Sequence, residues 1–293
     1  MRYDVRLRIT YAYDHAASAS RHVARLLPAE IAGAQQPVAS TLSVTPRPAE
    51  WTSRTDFFAN TVNEVVLADP HEEITFEVRS MLDVFERGRN LDVSPRLSTL
   101  AHEIASVRRL DPTSPHHFTG ASQRAPLDAR TADFAREAMA GSVGTLAAVE
   151  AVGAALHAAM RFDASATTVD TPMVEAFQNR HGVCQDFTHI MISALRGIGV
   201  PAGYVSGFLR TDPPPGQPRL EGADAMHAWV MAWCGNEMGW IEYDPTNGVH
   251  AGTDHIVIAR GRDYADVSPV RGTMRTSGAH TSEQKVDVVP AEA

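Results

Sequence analysis

The chain has 293 residues, a hydrophobic content of 44%, a charged content of 21% and a formal net charge of −9. That length suits two domains of ~100 to 150 residues, and the composition excludes disordered, collagen-like and coiled-coil classes. The acidic balance counts against nucleic acid or an anionic membrane surface as a partner.

Tyr3, Val5, Leu7, Ile9, Tyr11 and Tyr13 alternate with polar or small residues, the period of a half-buried strand. The same alternation returns at Leu42 and Val44 and from Ile74 to Val84, with Pro46, Pro48, Asn60, Asn63, Asp69 and Pro70 as breaks. Residues 1–88 are therefore expected to form a small antiparallel β domain. Residues 89–127, rich in Pro, Gly and Ser, read as a connector with one helix around Leu97 to Val107. From Asp128 the apolar spacing changes to three and four, which predicts helices over Ala132–Met139 and Leu146–Met160 and a third from Thr171, led by Pro172. Strands are expected at Tyr204–Leu209, His227–Trp233, Trp240–Tyr243 and His255–Ala259, so residues 128–275 form an α+β domain with helices first and an antiparallel sheet after. Residues 276–293 show no periodicity and are expected to fray.

Charges interrupt the first nine residues, so no apolar core of a secretory signal is present there, and Ala138–Met160 is too weakly apolar for a membrane span. With only two cysteines, Cys184 and Cys234, neither a disulfide framework nor a four-thiolate zinc site forms. A cytoplasmic location is the expectation.

Gly182-Val183-Cys184-Gln185-Asp186 stand just ahead of a helical pattern of Phe187, Ile190, Met191, Ala194, Leu195 and Ile198, which puts Cys184 at a helix N-terminus. The unpaired N–H groups and the dipole there stabilise a thiolate. Gly182 allows a sharp turn and leaves room for a substrate carbonyl. A buried free cysteine serving only as a small hydrophobe explains this segment about equally well. Downstream, two apolar runs flank Gly235-Asn236, a dipeptide suited to a two-residue hairpin loop. That loop places His227 directly opposite Asp244 on the same face, with Cβ atoms ~4.5 to 5.5 Å apart, close enough for the carboxylate to fix the imidazole tautomer. A bulge near Gly239 would shift this register.

These segments resemble the transglutaminase-like superfamily. The nucleophile segment is Gly182 to Phe187 with His189, and Gly199-Val200-Pro201-Ala202 and Tyr204-Val205-Ser206-Gly207 look like the strand behind it. His227-Ala228-Trp229 and Tyr243-Asp244-Pro245-Thr246-Asn247 are similar to its histidine and aspartate segments, and Gly261 to Val267 to a closing stretch of bacterial members. The first ~90 residues resemble the β-rich region that precedes the core in those proteins. Gly203 departs from the pattern, since relatives often carry Arg there. The resemblance implies a papain-like α+β core with helices packed on an antiparallel sheet, and a triad in which Cys184 attacks an amide carbonyl, His227 moves the proton and Asp244 orients His227. The reaction class would be thiol acyl transfer through a thioester on a peptide or protein amide. A cysteine peptidase or amidase is preferred over a cross-linking transglutaminase, because a cross-linker must admit a deprotonated amine and hold water off the thioester. A non-catalytic binding module on the same fold is the third reading.

His15, His22, His71, His116, His117, His250, His255 and His280 show no metal-ligand spacing, so neither a metal nor another cofactor is inferred. Neither a serine-hydrolase elbow nor a glycine-rich phosphate loop occurs. Trp229, Trp233 and Trp240 could wall a pocket, with a core role expected for at least two, and the proline-rich Arg210–Arg219 loop is a candidate rim.

Overall fold

The computed structural model describes residues 1–86, 91–211, 222 and 224–291. The N-terminal alternation becomes β1 (Arg2–Ala24), whose Tyr3, Val5, Leu7 and Ile9 are buried and whose intervening residues are exposed or half-buried. It is followed by β2 (Gln35–Thr45), β3 (Glu50–Thr55), β4 (Thr61–Leu67) and β5 (His71–Val84). These strands belong to a seven-stranded sheet with the path β2-β5-β1-β4-β3. Its first half pairs β1 with β5, and its second half, from Ser20 on, pairs β1 with β4.

The intervening segment holds α1 (Leu97–Ser106) and a short 3-10 helix at Pro115–Phe118, whose Phe118 is fully buried. Then come α2 (Ala129–Ala138), α3 (Thr145–Ala159), β6 (Arg161–Phe162), α4 (Met173–Asn179), β7 (His181–Gly182) and α5 (Cys184–Gly197). Nearly every residue of α5 is buried, because α2, α3 and α4 pack on it from one side and the second sheet from the other. That sheet has five strands: β8 (Ala202–Leu209), β9 (Ala225–Trp233), β10 (Trp240–Asp244), β11 (Val249–His250) and β12 (His255–Gly261), in the order β11-β10-β9-β8-β12. The chain closes with α6 (Tyr264–Val267), β13 (Val270–Arg275) and β14 (His280–Pro290).

Two expectations are corrected here. The C-terminal stretch does not fray: β14 pairs with β1 from Tyr3↔Pro290 to Tyr13↔His280, and β13 pairs with the second half of β1. Residues 270–275 therefore belong to the first sheet and not to the α+β unit. The open edge of β1 supplies the missing partner, and Val286 and Val288 fill the first core. The second correction is the hairpin register. The pairs are Trp233↔Trp240 and Val230↔Tyr243, two residues away from a Gly235-Asn236 loop. Cys234 N–H donates to the Gly239 carbonyl and Gly239 N–H to that of Gly235, so the loop runs to Gly239, with φ of +99° and +68° at its two glycines. A shift of two keeps the side-chain parity, so His227 and Asp244 still share a face, diagonally.

The second sheet's outer strand β12 is sealed by side chains of the N-terminal region. The Gln35 amide donates to the Val257 carbonyl and accepts from its N–H, both at 2.8 Å, and Asn60 does the same for Arg260, both at 2.8 Å. Each amide stands in for a neighbouring strand's peptide group, which leaves no bare edge at those positions.

Candidate active site

Cys184 is the first residue of α5 and half-buried. The helix starts there because the Asp186 carboxylate folds back onto the Val183 N–H at 2.9 Å and is steadied by the Thr167 hydroxyl at 2.6 Å. A Cβ at Gly182 would run into that carboxylate, so the glycine makes room for the cap. The closing stretch locks onto the same helix. Buried Arg196 donates to the Ala202 and Arg262 carbonyls at 3.0 and 2.7 Å, and the Tyr264 N–H donates to His189 Nε2 at 3.2 Å. Burial lowers the His189 pKa to about 4, which suits an acceptor. At Gly203 a Cβ would lie 2.6 Å from Met231 Cε and 2.8 Å from the Gly261 carbonyl, so no arginine fits at this position.

His227 Nε2 lies 2.8 Å from Asp244 Oδ2, and the Cys184 side chain is close enough to the His227 ring to raise its pKa. The three predicted site residues are thus brought together from α5, β9 and the end of β10. Asp244 is fully buried. Its Oδ1 accepts from the Thr246 and Asn247 N–H groups at 2.9 and 3.2 Å, and its Oδ2 accepts from Asn247 Nδ2 at 2.6 Å. Burial alone would raise the Asp244 pKa, but hydrogen bonds from His227, His255 and Asn247 hold it well below the usual carboxylate range. Burial likewise opposes charge on His227, and the hydrogen bond to Asp244 together with the nearby Cys184 side chain outweighs it, pushing its pKa up to about 10. Cys234 contrasts with Cys184: it is fully buried, and burial pushes its thiol pKa up to about 12.

Some neighbours carry no spacing signal in the sequence. His255 Nε2 is 3.2 Å from the same Asp244 oxygen. Trp229, fully buried, has its ring centroid 6.2 Å from that of His227, and its indole N–H donates to Glu242 at 2.8 Å, which also pairs with Arg260. Trp233 is buried and Trp240 half-buried. Burial, with the nearby Cys184 sulfur adding to it, holds the Tyr204 phenol well above its ordinary range. Residues 212–221, and with them most of the expected Arg210–Arg219 rim, lie outside the described residues. No helix among the described residues is long and apolar enough to cross a membrane.

This fold, helices and antiparallel sheet with an N-terminal β region, is the transglutaminase-like fold, and the chain belongs to the transglutaminase-like superfamily. Residues 3–83 match the family model described as the bacterial transglutaminase-like N-terminal region, and residues 132–245 match that of the transglutaminase-like superfamily. An uncharacterized protein of Mycobacterium tuberculosis is 32% identical over 296 residues, covering 99% of this chain and 93% of its own. One from Mycobacterium leprae is 30% identical over 281 residues, covering 95% of each. A crystal structure of a Cytophaga hutchinsonii protein with a provisional cysteine-protease name superposes with a TM-score of 0.76 at 19% identity, covering 100% of this chain and 91% of that one.

Proposed function

We propose that the protein is a thiol-dependent acyl-transfer enzyme acting on peptide or side-chain amides, with Cys184 as nucleophile, His227 as general acid and base, and Asp244 as the group that orients His227. The observation that carries this reading is a half-buried thiol at a helix start near an imidazole whose Nε2 is 2.8 Å from a buried carboxylate. With Nε2 committed to Asp244, Nδ1 is the ring nitrogen left to serve the thiol. Nδ1 holds the proton given up by Cys184, as the raised His227 pKa favours, the sulfur attacks the amide carbon, and first-turn N–H groups of α5 stabilise the oxyanion. The imidazolium returns its proton to the leaving nitrogen, the C–N bond breaks, and a thioester remains. His227 then deprotonates a water that attacks the thioester, releasing the acid and restoring the thiol.

Hydrolysis is preferred over transfer to an amine for the reason already given, that a cross-linker must keep water from the thioester. Cytoplasmic action goes with this reading, supported by two free thiols, and recovery of the protein in a periplasmic or secreted fraction would overturn that part. The test is incubation with a mixed peptide library, with and without a primary amine, read by mass spectrometry against Cys184→Ala. Cleaved or deamidated peptides that need Cys184 are expected. Dominant amine adducts would turn the assignment to a transglutaminase, and no Cys184-dependent product would leave the binding module.

A further inference from the structure

His255 heads β12 and its ring is fixed from several sides. The Gly252 N–H lies 3.2 Å from Nδ1, the Trp229 indole meets the ring edge to face with centroids 5.1 Å apart, and Nε2 lies 3.2 Å from Asp244 Oδ2. An N–H donating to Nδ1 requires a lone pair there. The proton of a neutral His255 therefore sits on Nε2 and points at Asp244. The oxygen it reaches is the one that His227 Nε2 holds at 2.8 Å.

We propose that His255 is a positioning residue, a neutral imidazole locked as the Nε2–H tautomer that holds Asp244 in the rotamer from which Oδ2 fixes His227. This rests on the reading of Cys184 and His227 as the reacting pair. Oδ1 is tied down by backbone N–H groups of the turn, but Oδ2 is held by side chains alone, His227, Asn247 and His255. Of these, His227 must move protons during turnover and Asn247 sits on the same turn as the carboxylate. His255, on β12, is the one holder that neither moves protons nor shares that turn. That strand is in turn pinned by the N-terminal region through the Gln35 amide on Val257. The β-rich region thus reaches the reacting imidazole through β12, His255 and Asp244.

A metal ion is the competing use of this cluster, since ligand-type atoms of His227, Asp244 and His255 lie within 4.8 Å of one another. Metal at His255 Nε2 would move the ring proton to Nδ1, where the Gly252 N–H already donates. The Gly252 contact selects the hydrogen-bonded arrangement.

The test uses the full chain labelled with 15N-histidine, assigned by single substitutions. In the wild type, His255 should carry its proton on Nε2 with Nδ1 unprotonated, and the His227 Nε2 proton should exchange slowly with water. In His255→Phe, which keeps the ring but cannot donate, that exchange should quicken and iodoacetamide labelling of Cys184 should slow, each by about tenfold, the low end of what outer hydrogen-bond partners of functional histidines contribute. His255→Gln, which can still donate to Asp244, should stay within about twofold of wild type by the same measure. A proton on His255 Nδ1, a charged His255, or a folded His255→Phe with unchanged exchange and labelling would overturn the proposal. If His255→Phe does not fold, the wild-type tautomer decides. Should wild-type Cys184 label no faster than Cys234 while His227 exchange still responds to His255→Phe, the acyl-transfer reading fails and the positioning role stands.

Discussion

The two sheets bury their strands differently. In β1 of the seven-stranded sheet, buried Tyr3, Val5, Leu7 and Ile9 alternate with exposed or half-buried residues, so one face meets the core and the other meets water. In β8 and β9 of the five-stranded sheet, runs such as Ala202–Phe208 and His227–Trp233 are buried at every position, because helices cover one face and the N-terminal region the other. A sheet wet on one side tolerates polar residues at every second place without further support. A sheet covered on both sides does not, and each polar group in it must find a partner or cost several kcal/mol. His227, Glu242, Asp244 and His255 are such groups, and each is hydrogen-bonded to another polar side chain of that sheet. The proposed site is concentrated where burial makes polar residues most expensive to keep.

The largest break of this contrast is Asp244→Ala. It strips the acceptor from His227, His255, Asn247 and two backbone N–H groups, and should destabilise the protein by about 3–5 kcal/mol in urea unfolding, the cost of removing one partner of a buried charge pair. The next effect is read in pH. His227 has a folded pKa of about 10, above its ordinary 6.5, so its contribution to stability is complete below pH 6.5 and is lost as pH rises through 10. Unfolding free energy should fall across that window in the wild type and stay flatter in His227→Gln. Gly207→Ala comes third. A Cβ there would run into the Ile256 carbonyl and the Trp229 ring, so a loss of about 1–3 kcal/mol is expected, with slower Cys184 labelling because Trp229 borders both histidines. Gln35→Ala should cost about 1–3 kcal/mol at the lower end, since it leaves the Val257 N–H and carbonyl without their partner on the sheet edge. A truncation that spares labelling in Gln35→Ala would separate the two sheets functionally; slowed labelling would join them.

The same contrast explains what could be read from the sequence. The alternation in β1, the three-and-four spacing of α3 and α5 and the Cys184 helix start were legible because each is a local pattern with one period. The strand β14 was missed because only Val286 and Val288 are buried in it, among Gln, Lys, Glu and Asp that face water on an edge. The hairpin register was misplaced by two because Gly235 and Gly239 close a longer loop than Gly235-Asn236 suggests, yet the His227–Asp244 pairing survived on parity. His255 carried no signal at all: its partner is set by the sheet order β9-β8-β12, which no spacing along the chain encodes.

The most direct test of the central claim is iodoacetamide labelling of the native protein near neutral pH, followed residue by residue. Cys184, half-buried beside His227, should label rapidly, and Cys234, fully buried with its thiol pKa pushed up to about 12, should label only on unfolding. Substitution of His227 by Ala should slow Cys184 and leave Cys234 unchanged. Equal slow labelling of both cysteines, or a Cys184 rate indifferent to His227, would contradict the assignment of Cys184 as a nucleophile prepared by that histidine.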